Sequence, residues 1–273
     1  MKEKRFLPKI TALLGSLVIA AHTYAAPLKV GVTPGSLADS VNVAAVEARK
    51  VGLEVDVIEF TDWTTPNSAL DAKDIDLNYF QHQAFLDNAL KERHFKIKSI
   101  AVGLLSNIGL YSKKIKSFDE LPKGASVGVA NDPVNQGRGL LLLEKAGLIK
   151  LKDGIGAKAS INDIIENPKE LKLVEIEGPQ LVRAIDDLDL AQGYPGHFVN
   201  AGQADIASKA LLYSNIDDTY YAIRFVAHTD NVNDERLKKF IEIYHSSDAV
   251  KKEIHDSLAQ DNKLYSLPWL RNQ

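Results

Sequence analysis

Ala125-Ser126-Val127-Gly128-Val129-Ala130-Asn131-Asp132-Pro133-Val134-Asn135-Gln136-Gly137-Arg138-Gly139-Leu140-Leu141-Leu142-Leu143-Glu144-Lys145-Ala146-Gly147 carries the clearest fold signal in the chain. Residues 125–130 are a β-rich apolar run, Asn131-Asp132-Pro133 reads as a turn, and residues 137–146 form a strongly apolar helix closed by Gly147. A strand, a turn and a helix in succession are the building unit of an α/β fold. The same order recurs on both sides of this stretch. Upstream, residues 28–32 are a short β-rich run, Thr33-Pro34-Gly35-Ser36 breaks it, and Leu37, Val41, Ala44, Ala45 and Ala48 recur at helical spacing with Ser36 as the expected N-cap. Residues 53–60 read as a strand, 75–78 as a short extended piece, 81–93 as a helix, and 96–102 and 108–111 as strands. Downstream come a strand at 171–176, a helix at 179–187, strands at 189–191 and 220–227, and amphipathic helices at 235–245 and 249–259.

This order predicts largely parallel sheets covered by helices, arranged as two α/β lobes joined by two crossings of the chain. The polar stretch Ser112-Lys113-Lys114 and the turn at Tyr213-Ser214-Asn215 mark the boundaries. Lobe 1 is then expected from residues 26–112 and 216–273, and lobe 2 from residues 113–215. A ligand is expected in the cleft at the strand ends.

Composition narrows the function. The formal net charge of -3 and pI near 6.2 argue against a nucleic-acid partner held by a basic surface. With no cysteine among 273 residues, disulfides, thiolate metal sites, iron–sulfur clusters and thiol nucleophiles are excluded. The seven histidines lack the paired helical spacing of zinc proteases, and no serine sits in a nucleophile-elbow sequence. No catalytic constellation, metal site or cofactor is expected.

Residues 1–25 read as an export signal rather than as part of the fold. Lys2, Lys4, Arg5 and Lys9 precede an apolar run, residues 10–21, that is too short to span a bilayer. Thr23-Tyr24-Ala25 then supplies small residues for cleavage near Ala25, with Ala26 as the first mature residue. The expected location is the periplasm.

Several segments in order resemble one family. Gly31-Val32-Thr33-Pro34-Gly35, Phe60-Thr61-Asp62-Trp63, Pro66-Asn67-Ser68-Ala69-Leu70 and Asn78-Tyr79-Phe80-Gln81-His82 are similar to successive signatures of the NlpA-type methionine-binding lipoproteins. The strongest block runs from Val129 to Leu143 and continues through Lys145-Ala146-Gly147-Leu148-Ile149-Lys150 to Gly154. The resemblance covers nearly the whole chain after residue 25. It implies a two-lobed periplasmic-binding-protein fold of type II, with the cleft between lobes closing on an amino acid. It also implies an extracytoplasmic solute-binding protein of an ABC importer rather than an enzyme. The partners would be a small-molecule ligand, methionine or a related carboxylate, and an inner-membrane permease.

Arg138 stands near the start of an apolar helix, where a buried cation needs an anionic partner. Its planar guanidinium and the adjacent helix N-terminus both suit a carboxylate, and the resemblance assigns it to the ligand carboxylate. The competing reading is a structural ion pair. Trp63 and Phe80 match ligand-contacting positions, with Trp63 standing where a tyrosine is usual, and His82 matches a histidine at the cleft. Tyr79 reads better as packing in the lobe core. Two positions depart from the family pattern: Pro195 or Gly196, and Ile223, stand where asparagines are expected. Tyr194, His197 and Tyr221 are the polar candidates to refill that space, and Asn200 could supply a contact from a shifted loop. The expected consequence is a preference shifted from L-methionine towards a small carboxylate. The family's lipid-bearing cysteine is also missing. A ligand-sensing subunit of a signalling receptor and an enzyme on a similar two-lobed fold remain the alternatives.

Overall fold

The strand predicted at the start of the quoted stretch forms at Ser126–Ala130, with Val127, Val129 and Ala130 fully buried. The computed structural model describes residues 26–215 and 217–271, so the export signal expected at 1–25 lies outside the described residues. Ser126–Ala130 is flanked by parallel strands Lys172–Ile176 and Leu190–Gly193; Gly109–Tyr111 adds antiparallel to Leu190–Gly193, and Leu212–Tyr213 antiparallel to Gly109–Tyr111, completing a five-stranded sheet. A central parallel strand is covered on both faces, which is why it reads as a continuous apolar run.

The following helix starts earlier than its apolar pattern indicates, at Pro133–Lys145. Asn131-Asp132-Pro133 is its entry rather than a separate turn. The Asp132 carboxylate caps it by accepting from the Asn135 N–H at 2.9 Å, and Pro133 sits in the first turn, where no intrahelical donor is lost. The helix ends as predicted at Gly147 (φ 71°): the Gly147 and Leu148 N–H groups return to the carbonyls of Glu144 and Leu143 at 2.8 and 3.0 Å.

The other sheet has Leu28–Val32 between parallel Val55–Glu59 and Leu77–His82, with Ile223–His228 antiparallel between Leu77–His82 and Ile97–Val102. The parallel expectation thus holds for three strands of each sheet. The strands that follow a crossing run the other way, because the chain enters from the opposite lobe. Helices Ser36–Arg49, Glu235–Ser246 and Asp248–Asp256 cover one face through a cluster containing Val30, Val41, Phe240 and Ile254. Leu70 and Leu86, from helices Thr65–Asp71 and Gln83–Arg93, pack with Val226 on the other. Ser36 is not the N-cap. Gly35 takes that place with φ 96°, and Ser36 is buried in the first turn.

One boundary moves. Strand Gly109–Tyr111, expected with the first lobe, hydrogen-bonds into the second sheet, so the first crossing lies at residues 103–108. Ser112-Lys113-Lys114 therefore ends a strand of the second sheet rather than opening the lobe. Within the crossing, Leu105–Ser106 pairs with Tyr265–Ser266, and the Asn107 N–H donates to the Leu264 carbonyl at 2.8 Å. Leu264 is itself buried with Tyr111 and Phe198 of the second lobe, so the C-terminal segment braces the hinge.

Candidate functional site

Helix Pro133–Lys145 delivers Arg138 to the space between the two sheets. The residue is only 8% exposed. Its guanidinium lies 4.2 Å from the centre of the Tyr221 ring, and Nη1 is 3.5 Å from Asn135 Oδ1. Among the described residues no carboxylate forms an ion pair with it. The carboxylate that caps its helix, Asp132, is occupied by the Asn135 backbone N–H and Nδ2. Burial pulls the Arg138 pKa down, while Tyr194, Tyr221, Asp132 and Asp218 act in the opposite sense. A buried cation supported mainly by a ring face is the arrangement expected of a group held ready for an anion.

His82 closes strand Leu77–His82 and caps helix Gln83–Arg93. Its Nδ1 accepts from the Phe85 N–H at 3.1 Å, which leaves Nε2 to donate to Asn135 Oδ1 at 3.2 Å. That bond joins the two lobes. Burial, reinforced by the Arg138 charge, pushes the imidazole down to about 3, so it is neutral. Burial holds His197 down to about 4, and its Nδ1 has no hydrogen-bond partner among the described residues.

Trp63 leaves the first lobe between Val55–Glu59 and Thr65–Asp71. The Asp62 carboxylate fixes this loop by accepting from the Thr64 and Thr65 N–H groups at 2.7 and 2.8 Å. The indole lies edge-on to Tyr194 of the second lobe at 5.5 Å and 6.3 Å from Phe85, with His197 at 6.1 Å. It also covers Gly178, where any side chain would collide with the ring. Phe80 meets Phe85 edge-to-face at 5.9 Å.

All seven residues singled out from sequence, Trp63, Phe80, His82, Arg138, Tyr194, His197 and Tyr221, line one cavity that is partly open to solvent and holds about 90 Å³ of free space. Tyr79 does not line it: its ring stacks on Phe225 at 4.1 Å, and its hydroxyl accepts from the Leu104 N–H. Gly196 and Ile223 line it; Pro195 and Asn200 do not. Among the described residues no cluster of His, Asp and Glu could hold a metal ion.

A family model described as NlpA lipoprotein matches residues 28–265. The chain belongs to the NlpA lipoprotein family. It is 42% identical over 244 residues to the D-methionine-binding lipoprotein MetQ of Yersinia pestis, covering 88% of this chain and 90% of that one. The crystal structure of the methionine-binding protein MetQ superposes with a TM-score of 0.80 at 41% identity, covering 85% of this chain and 94% of that one. A nutrient-binding protein from Burkholderia cenocepacia bound to methionine gives a TM-score of 0.77 at 38% identity, covering 85% and 96%. The two-sheet architecture is thus the two-lobed fold of periplasmic substrate-binding proteins. These NlpA relatives are binding proteins by name. The Yersinia pestis relative is also a lipoprotein by name, as is the family, whereas this sequence has no cysteine to carry a lipid. Among the described residues no helix is long and apolar enough to cross a membrane.

Asn135 and Phe85 belong to the wall although nothing in the sequence alone marks them as site residues. Thr33, Ser36 and Ser106 also line the cavity.

Proposed function

We propose that this protein is an extracytoplasmic solute-binding protein that captures methionine or a related small carboxylate and passes it to an inner-membrane ABC permease. The observation that carries the reading is Arg138, a buried cation with no ion-pair partner among the described residues, on the wall of a cavity between two lobes. A carboxylate there receives the guanidinium in fork geometry. The rings of Trp63, Phe80 and Phe85 offer an apolar channel for an unbranched or thioether tail. The methionine-binding relatives support the ligand class. Contacts across the cleft, His82 to Asn135 and Trp63 to Tyr194, would tie the lobes together around the ligand. Export follows from the basic, apolar and small-residue order of residues 1–25, with cleavage near Ala25 and a periplasmic product free of cysteine-linked lipid.

Native mass spectrometry of purified protein tests the reading. It should find one compact carboxylate-bearing molecule per chain, released unchanged. A ligand consumed on incubation, or a ligand with no anionic group, would overturn it. Intact-mass measurement of exported protein should give a chain starting at Ala26.

A further inference from the structure

Trp63 reaches across the cleft and comes to rest on a residue with no side chain. Gly178 follows strand Lys172–Ile176 of the second sheet and is buried. Cη2 and Cζ3 of the indole fill the place that a Cβ on residue 178 would take, and Cζ2 lies 3.0 Å from it. Gly178 does not belong to the glycines with positive φ, so its backbone makes no demand for the left-handed region. What the position excludes is volume, and that volume is taken by a ring from the other lobe.

The base of the ring is fixed. Asp62 pins the loop in the first lobe through the Thr64 and Thr65 N–H groups. The body of the indole meets Tyr194 edge-on at 5.5 Å and His197 at 6.1 Å, both from the second lobe. With its base held in one lobe and its tip seated in the other, the indole sets how closely the lobes approach on this side. It also separates two spaces. Trp63 and Phe85 line both the ligand cavity and a second pocket at the surface, whose wall includes the exposed Thr64, Ser68 and Arg93. They are the partition between the ligand and solvent there.

We propose that Gly178 is a positioning residue for ligand retention: it is the seat of the Trp63 indole, and the seated indole closes the cavity on the side of the surface pocket. A side chain at residue 178 would hold the indole off, leaving the lobes short of closure and the partition ajar. The group it displaces is the far end of a side chain rather than backbone, so the fold of each lobe is preserved. This inference rests on the solute-binding reading and adds the pair of residues that governs release of the solute.

The wild-type protein, Gly178→Ala, Trp63→Phe and the double variant test it, each unfolded and refolded to remove retained ligand. Calorimetry with L-methionine and D-methionine measures affinity. Acrylamide quenching of the ligand-free proteins measures the exposure of Trp63 against the buried Trp269. Gly178→Ala is expected to bind the isomer that the wild type prefers about tenfold or more weaker, at an unchanged melting temperature, and to be quenched more strongly. Phenylalanine lacks the outer ring atoms that rest on Gly178, so in the Trp63→Phe background the same substitution is expected to cost less than about twofold. Wild-type affinity in Gly178→Ala overturns the proposal. So does a loss of affinity or of melting temperature that is equal in both backgrounds, which would place the cost in the backbone of residue 178, restrained by Pro179. If neither isomer binds the wild-type protein, the methionine-like reading fails and quenching alone decides the seat: stronger quenching of Gly178→Ala upholds it, and unchanged quenching overturns it.

Discussion

Arg138 and the two cavity histidines make the site sensitive to charge. In the unfolded chain an imidazole titrates near 6.5. In the folded protein burial, with Arg138 adding to it, holds His82 down to about 3, and burial holds His197 down to about 4. Below pH 6.5 the unfolded state therefore binds protons that the native state refuses. The stability contributed by these groups is whole above pH 6.5 and declines as pH falls towards the native values, by about 1.4 kcal/mol per pH unit for each imidazole. Thermal denaturation should show a midpoint that drops between pH 7 and pH 5. His82→Asn, which retains a helix-capping side chain, should shallow that slope; an unchanged slope would mean that His82 is protonated in the native state. The placement of Arg138 and His82 on the cavity wall is within reach of the sequence because each sits in a distinctive motif. Their shared partner Asn135 is not, because only the folded structure brings strand Leu77–His82 against helix Pro133–Lys145.

Helix Pro133–Lys145 shows how an element places a site residue. Glycine in a helix interior costs roughly 0.5–1 kcal/mol relative to alanine, yet this helix has two, on either side of Arg138. A methyl group on Gly137 would run into the Ala157 carbonyl, and one on Gly139 into the Gln192 side-chain oxygen. Both glycines let the helix lie close to its neighbours. Gly137→Ala should destabilise the protein by about 1–3 kcal/mol, since a backbone carbonyl cannot yield as a side chain can. Denaturant unfolding measures this, and a stabilised variant would refute the close approach. The strands are legible as apolar runs, and the helix stop is legible at Gly147. The helix start is not, because Asp132 and Pro133 serve a turn and a helix entry equally well. Helix Thr65–Asp71 also escapes the sequence pattern: seven residues with little periodicity begin where Asp62 gathers the Thr64 and Thr65 donors. Strand Leu77–His82 reads short because Asn78 and Gln81 are polar. Both are buried in a hydrogen-bond network with Asn67 that hydropathy cannot reveal.

At the scale of the molecule, two lobes meet around a cavity, and the crossing at residues 103–108 is braced by the C-terminal segment. Trp63 spans the cleft, while the second tryptophan, Trp269, is buried in the first lobe and stacks on His245 at 4.9 Å. Ligand binding should therefore change the emission of Trp63 and leave that of Trp269 nearly constant. Trp63→Phe should remove most of the change, and its persistence would place the conformational response elsewhere. A ligand at about a thousand times its dissociation constant should add about 4 kcal/mol of stability, a rise readily seen in the melting temperature. The lobe count is legible from the strand and helix order. The exact crossing is not, because residues 108–111 are apolar and fit either sheet until the pairing of Gly109–Tyr111 with Leu190–Gly193 decides.

The central claim is that Arg138 is held for an anionic ligand and not for the fold. Losing one charge-assisted partner of a buried anion costs about 2–5 kcal/mol, roughly 30- to several-thousand-fold in affinity. Native mass spectrometry measures this whatever the ligand proves to be, on the wild-type protein and Arg138→Ala, purified identically and matched for melting temperature after ligand removal. The account predicts a retained small molecule on the wild-type chain and its loss from the variant. The same molecule retained at equal occupancy on both would contradict it.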